Sequence, residues 1–232
     1  AGINEELFQK LNSPDYFTIY PPLAQSIFLL SVKLSPHSTN GSVFVMKLII
    51  FLSEIGTLVV IKKLLFQFGL PASRVLLYAL NPLVILELSG NIHLEAVLIF
   101  LLLLSLLLLI REKLVLSGIA MAMAICVKLI PLMFLPALLP RLGWKKAFVL
   151  YATIIVVALV LFLPLLDRSI LLGFQNSLAY YFRKFEFNAS IYYLVREWGY
   201  WTYGYNIIQA AGWQLALLST MIILFISFKN IR

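Results

Sequence analysis

The chain has 232 residues, 62% of them hydrophobic and only 12% charged, with a net charge of +8 and a mean hydropathy of +0.98. That charged fraction is about half of what soluble domains carry, which excludes a soluble globular fold and indicates an integral membrane protein. The basic excess fits cytoplasmic loops facing anionic lipid better than nucleic acid, and the single cysteine, Cys126, can form no internal disulfide.

The opening residues AGINEELFQK are polar, with neither a basic n-region nor an apolar h-region, and do not read as a signal peptide. A membrane chain opening this way is expected to lack at least one upstream transmembrane helix, and residues 1–22 read as part of a first extracytoplasmic loop. Tyr20-Pro21-Pro22 marks a stop, because proline fixes φ and biases its predecessor away from helix. Leu23 to Leu34 is apolar but short, which predicts a re-entrant or interfacial helix. A span from Ser42 to Ile61 follows, closed by Lys62 and Lys63. Ser73 to Ser89 is broken at Asn81-Pro82, where freed backbone groups need buried partners.

His93 to Ile110 returns and ends in Arg111-Glu112-Lys113. Leu114 to Val127 crosses again, and Leu129 to Leu139 is a short proline-broken element ending at Arg141, Lys145 and Lys146. Ala147 to Leu166 crosses once more, residues 167–206 form a long aromatic and polar extracytoplasmic loop, and 207–228 is the last span. The expected fold is all-α: one polytopic transmembrane helical bundle over 1–232, with helices through 23–166. It has about seven membrane-embedded elements plus the short re-entrant or interfacial helix.

Orientation follows from the basic residues. With the clusters at 62–63, 111–113, 141–146 and 229–232 cytoplasmic, residues 1–20, the 89–93 turn, Lys128 and the 167–205 loop share the opposite side. The polar residues then gather at one face: Glu5, Glu6, Asp15, Tyr20, Gln25, Asn91, His93, Glu95, Lys128, Arg183, Lys184, Glu186 and Asn188.

Lys128 is the sharpest of these. It lies between two apolar elements with no carboxylate for thirty residues on its C-terminal side. A lysine near membrane depth is costly, so it faces a cavity or partner, or snorkels to the headgroups. In a cavity, its compact charge suits phosphate. In SGNIHLEA (89–96), Ser89 or Asn91 can cap the following helix, with Glu95 in its first turn where the helix dipole favours a carboxylate. His93 and Glu95, two apart, would point to different faces of a helix and lack the spacing of a helical metal pair. Lys47 and Glu54 share a helix face but are too far apart to pair directly, so each needs a partner on another element. With Asn81 and Glu87, the candidate partner, they form an expected structural polar network. Arg183 and Lys184 sit among aromatics that either belong to an interfacial belt or help clamp a phosphate. With no P-loop, dinucleotide fingerprint, HExxH or GxSxG motif, neither a soluble cofactor nor a metal is expected.

In this order, Tyr20-Pro21-Pro22-Leu23, Lys47 with an acid seven later at Glu54, Asn81-Pro82-Leu83, Gly90-Asn91, Lys128-Leu129-Ile130-Pro131 and the stretch ending Phe187-Asn188 resemble a known family. It is the polyprenol-phosphate-sugar-dependent glycosyltransferases of the GT-C fold, in particular the catalytic subunit of the first GPI-anchor mannosyltransferase and its bacterial mannosyltransferase-like relatives. The resemblance implies transfer of a hexose, mannose, from a polyprenyl-phosphate-linked donor to a lipid or glycan acceptor at the extracytoplasmic face, in a bacterial inner membrane rather than the ER. It implies a carboxylate base in the first extracytoplasmic loop, expected upstream of Ala1, with Asp15 the candidate inside the chain. Lys128, Arg183 and Lys184 would meet the donor phosphate. Tyr20, Gln25, Asn91, His93, Glu95, Glu186 and Asn188 would line the substrate site. Membrane lipids are expected partners and a small membrane partner subunit is an open option. A transporter or lipid flippase also uses broken helices with buried charges, but should contain a repeat; a non-catalytic scaffold subunit is the third reading.

Overall fold

A computed structural model describes residues 9, 18–167, 170, 172–173, 175–177 and 190–229, and among these there are helices and turns but no strand. The expectation of an all-α membrane protein is met, with three helices long and apolar enough to cross a bilayer, or four if one bent pair is a single span. The chain divides into two compact units, the first built from Tyr20–Leu135 and Leu142–Pro164, the second from Pro136–Arg141 and the described part of Leu165–Arg232.

In the first unit, α1 (Pro22–Leu34) begins where expected, with proline in its first turn. Its Ala24, Ile27 and Ser31 are buried. The next helix, α2 (Thr39–Gln67), starts at a Ser38 cap whose side chain accepts from the Gly41 amide. It runs longer than its apolar stretch, so Lys62 and Lys63 lie within it instead of closing it. Lysine is a good helix former, so the backbone continues past the apolar limit.

The proline break is as anticipated. A 3-10 turn (Ala72–Val75) leads into α3 (Leu76–Ala79), and a π-helical turn (Val84–Gly90) follows Asn81-Pro82. The two arms are bent by 63°. Asn81 Oδ1 accepts from the Leu83 amide at 3.0 Å, satisfying one group next to the break.

Two apolar helices form the centre of this unit: α4 (Glu95–Ile110) and α5 (Leu114–Val127). They are antiparallel neighbours, and α4 also packs along α2. Their lengths, 16 and 14 residues, correspond to about 24 and 21 Å. Towards the 111–113 turn, Ser105 and Ser117 clasp one another: each hydroxyl donates to the other's carbonyl at 2.9 Å, and the two hydroxyl oxygens are 3.0 Å apart. Both serines are fully buried, so the clasp satisfies polar groups that would otherwise be orphaned and sets the register of the pair. Next to it, Gly118 has no side chain because a Cβ would approach the Thr153 side chain to 2.8 Å.

After a 3-10 turn (Ile130–Phe134), α6 (Leu135–Phe162) is interrupted at Gly143, whose φ of 71° is outside helical space. The interruption lies in the basic stretch that separated two elements in the sequence reading. In the second unit, α7 (Ser190–Tyr203) and α8 (Ile208–Lys229) are neighbours in contact. Tyr192 donates to Asn206 Oδ1 at 2.7 Å, and the same oxygen accepts from the Ile208 amide at 3.0 Å. Gly204 supplies the left-handed residue of the turn, with φ 76°. Residues 190–203, read as part of a polar aromatic loop, are therefore helical; bulky aromatics and charges hid the helical pattern.

Candidate functional site

The core of the first unit gathers Ala24 and Ile27 of α1, Ile50 of α2, Leu88 of the π-turn, Leu94, Ala96, Val97 and Leu98 around the start of α4, and Ala124 and Val127 of α5. Polar residues sit beside these anchors in sequence. Gln25 follows Ala24, Glu87 precedes Leu88, His93 and Glu95 flank Leu94, and Lys128 follows Val127. Of these, Glu87, His93, Glu95 and Lys128 come together at one end of the helix pair.

At that end, Lys128 Nζ donates to Glu95 Oε1 at 2.5 Å. The two are 33 residues apart in sequence, and their side chains are 42% and 31% exposed, enough to meet a ligand without leaving the protein. The other Glu95 oxygen, Oε2, is 3.7 Å from His93 Nδ1. On the far side of the ring, His93 Nε2 is 3.8 Å from Glu87 Oε2, to which Asn91 Nδ2 donates at 3.2 Å. Glu87, Asn91, His93, Glu95 and Lys128 thus form one continuous polar row.

The turn that carries His93 explains why the sequence separated it from Glu95. His93 precedes the helix, so the helical rule that sends positions two apart to different faces does not apply to it. Ile92 adopts φ 59°, a left-handed conformation that costs a branched residue about 1–2 kcal/mol. The bend lets the His93 amide bond back to the Leu88 carbonyl at 3.1 Å and the Asn91 amide to that of Leu86 at 2.9 Å. Strained backbone of this kind concentrates at functional sites. The expected cap is not formed: Leu94 occupies the N-cap position without a side-chain bond, and Asn91 instead bonds Glu87.

Other candidates fall differently. Gln25 donates to the Tyr20 carbonyl at 3.3 Å, and the Tyr20 ring packs edge-on to Phe28 at 5.4 Å. Glu54 takes its bond from Tyr78 of α3 at 3.1 Å, so its partner is a phenol that the sequence reading did not consider, and Glu87 belongs to the His93 row. Lys47 is exposed and, among the described residues, makes no ion pair. Asp15, Arg183, Lys184, Glu186 and Asn188, with Glu5 and Glu6, lie outside the described residues.

The opposite end of the pair carries a second ion pair. Lys146 Nζ donates to Glu112 Oε1 at 2.7 Å. Glu112 is 75% exposed, and the Lys146 ammonium holds its carboxyl below the usual carboxylate range. Glu112 sits in the 111–113 turn with φ 58°.

Compared with known protein families, residues 14–143 match the MptA_B family, described as alpha-(1->6)-mannopyranosyltransferase, N-terminal domain. The matched stretch includes the whole polar row from Glu87 to Lys128. No curated protein and no solved structure matches the chain. With more than half of its length matched, the chain belongs to this mannosyltransferase-like family of glycosyltransferases.

Proposed function

We propose that this chain moves a hexose, mannose, from a polyprenyl-phosphate donor to a lipid or glycan acceptor at the extracytoplasmic face of a bacterial inner membrane, on a GT-C scaffold. The observation that carries the reading is the Lys128–Glu95 pair, an ammonium anchored at the end of two apolar helices inside the stretch matched by a mannosyltransferase family.

The chemistry follows from where charge develops. As the glycosidic bond breaks, its electrons pass to the phosphate oxygen, and the acceptor hydroxyl gives up its proton. A fixed cation stabilises the charge gained by the leaving phosphate, more strongly in a low-dielectric site than in water. Lys128 spends one of its three donors on Glu95, and the other two are available to phosphate oxygens. Arg183 and Lys184 are the assisting cations. A carboxylate of the first extracytoplasmic loop, where Asp15 lies, takes the acceptor proton. Tyr20, Gln25, Asn91, His93, Glu186 and Asn188 line the sugar and acceptor side.

The orientation is supported by the segregation of charge along α4 and α5. Arg111, Lys113 and Lys146 gather at one end as the cytoplasmic set, and Lys128 with the 89–93 turn takes the other. Residues 1–22 and 167–206 are then extracytoplasmic. The test is sugar transfer from polyprenyl-phosphate mannose by the purified full-length protein in lipid. Transfer abolished by Lys128→Ala supports the assignment; wild-type turnover in that variant removes Lys128 from the reaction.

A further inference from the structure

The polar row has the wrong charge for the ligand just proposed. It contains one ammonium, Lys128, and two carboxylates, Glu87 and Glu95. With a neutral imidazole at His93 the row is net negative and repels a phosphodiester. The geometry of His93 supplies the remedy. Each of its ring nitrogens faces a carboxylate oxygen, Nδ1 towards Glu95 at 3.7 Å and Nε2 towards Glu87 at 3.8 Å. A neutral imidazole has one N–H and can donate to only one of them; the imidazolium has two. Both separations are at least about half an ångström beyond hydrogen-bond length, so a closure of that size on protonation would satisfy both.

We infer that the site takes its phosphate-bearing ligand together with one proton, carried on His93 between Glu87 and Glu95. This rests on the reading of Lys128 as the phosphate contact. The ligand's phosphate oxygens take the free donors of Lys128, and Glu95 leans from the ammonium towards the imidazolium. The proton comes from solvent at the exposed edge of His93 and returns there when the ligand leaves; no covalent bond changes. Imidazole is the side chain whose ordinary range makes such an exchange available near neutral pH. Among the described residues, the charged groups in reach of His93 are Glu87, Glu95 and, through Glu95, Lys128. The elements packed against this end also carry Lys33 of α1, Lys47, Glu54, Lys62 and Lys63 of α2 and Cys126 of α5, and Tyr20 precedes α1.

The sign follows from linkage. If the bound state holds one more proton than the free state, affinity rises as pH falls, by up to ~10-fold per pH unit. The test uses the full chain in nanodiscs and a short-chain prenyl methyl phosphate diester, whose single charge is constant from acid to neutral pH. Binding measured between pH 5.5 and 8.5 is expected to weaken with rising pH in the wild type. The slope should flatten in His93→Asn. Glu87→Gln, which removes one carboxylate from the row, should bind more tightly than the wild type at pH 8. A wild-type affinity independent of pH, or a His93→Asn variant that keeps the wild-type slope, overturns the inference. Should His93→Asn fail to fold, looser or unchanged binding by Glu87→Gln at pH 8 overturns it instead. Failure of the underlying reading has a different signature: the diester does not bind the wild type at any pH, or Lys128→Ala binds it undiminished.

Discussion

The two ends of the α4–α5 pair carry the same kind of ion pair in different company. Lys146 and Glu112 meet in an exposed turn, where water competes for both partners and such pairs contribute little. Lys128 and Glu95 meet above a closed apolar cluster, beside a histidine, a second carboxylate and a strained turn at Ile92. Identical chemistry is a surface tie at one end and a candidate binding row at the other. The surroundings decide which, because burial beneath the pair limits how far either charge can move and how fully solvent can replace a lost partner.

Substitution at each lysine breaks this comparison most sharply. Lys128→Ala is expected to cut sugar transfer by ~100-fold or more, since removing one preorganised charge-stabilising group has effects of that order. Lys146→Ala should stay within about twofold. Equal losses at both ends would show that the ion pairs matter only for folding. Glu95→Gln is the next largest. It keeps the shape of the side chain but cancels the charge that would compete with a phosphate ligand for Lys128, and donor KM should fall by about 3- to 10-fold, the effect of one neighbouring charge screened by water. kcat should fall as well, because the ammonium loses its anchor. A raised donor KM in steady-state kinetics would contradict this.

The clasp between the ends can be loosened without touching either. Ser105→Ala or Ser117→Ala removes buried interhelical hydrogen bonds and should lower stability by about 1 kcal/mol, read as a reduced melting temperature in detergent. Transfer should decline with it, since the register that brings Glu95 to Lys128 depends on the clasp. The smallest effect is expected at Glu112. Its carboxyl is lowered on folding by Lys146, so what it contributes is present above the ordinary carboxylate pKa and lost as pH falls through the lower folded value. Glu112→Gln should differ slightly from the wild type in melting temperature at neutral pH, and the difference should vanish in acid, once the pH has fallen through the lowered carboxyl value.

Much of this was legible in the residues. Composition and run length reveal the membrane class, and the Asn81-Pro82 break, the bounds of α5 and the start of α1 follow from proline, charge and hydropathy. Lys128 stands out because a lone charge in an apolar run needs a reason. Its partner was harder to see, since Glu95 is 33 residues away and lies on the N-terminal side. A usable signal existed: folding the sequence about the 111–113 turn sets Ser105 opposite Ser117 and Glu95 opposite Lys128. The link from His93 to Glu95 was hidden because no propensity predicts a left-handed isoleucine at position 92. Tyr78 as the partner of Glu54 was hidden because it depends on how the short α3 folds back along α2, which neither residue's local sequence specifies.

The shortness of α4 and α5 has a consequence for the lipid around them. At about 24 and 21 Å, they fall short of a hydrocarbon core of roughly 30 Å. If the pair crosses the bilayer, the lipid beside it must thin, or the charged ends must sit below the headgroup plane. Under the proposed function, either outcome would bring the phosphate of a lipid-linked donor and Lys128 to similar depth without lifting the lipid chain from the membrane. Bilayer thickness thereby becomes a control on turnover: in vesicles of increasing acyl length, transfer should fall as the mismatch grows, even though no residue of the protein has changed.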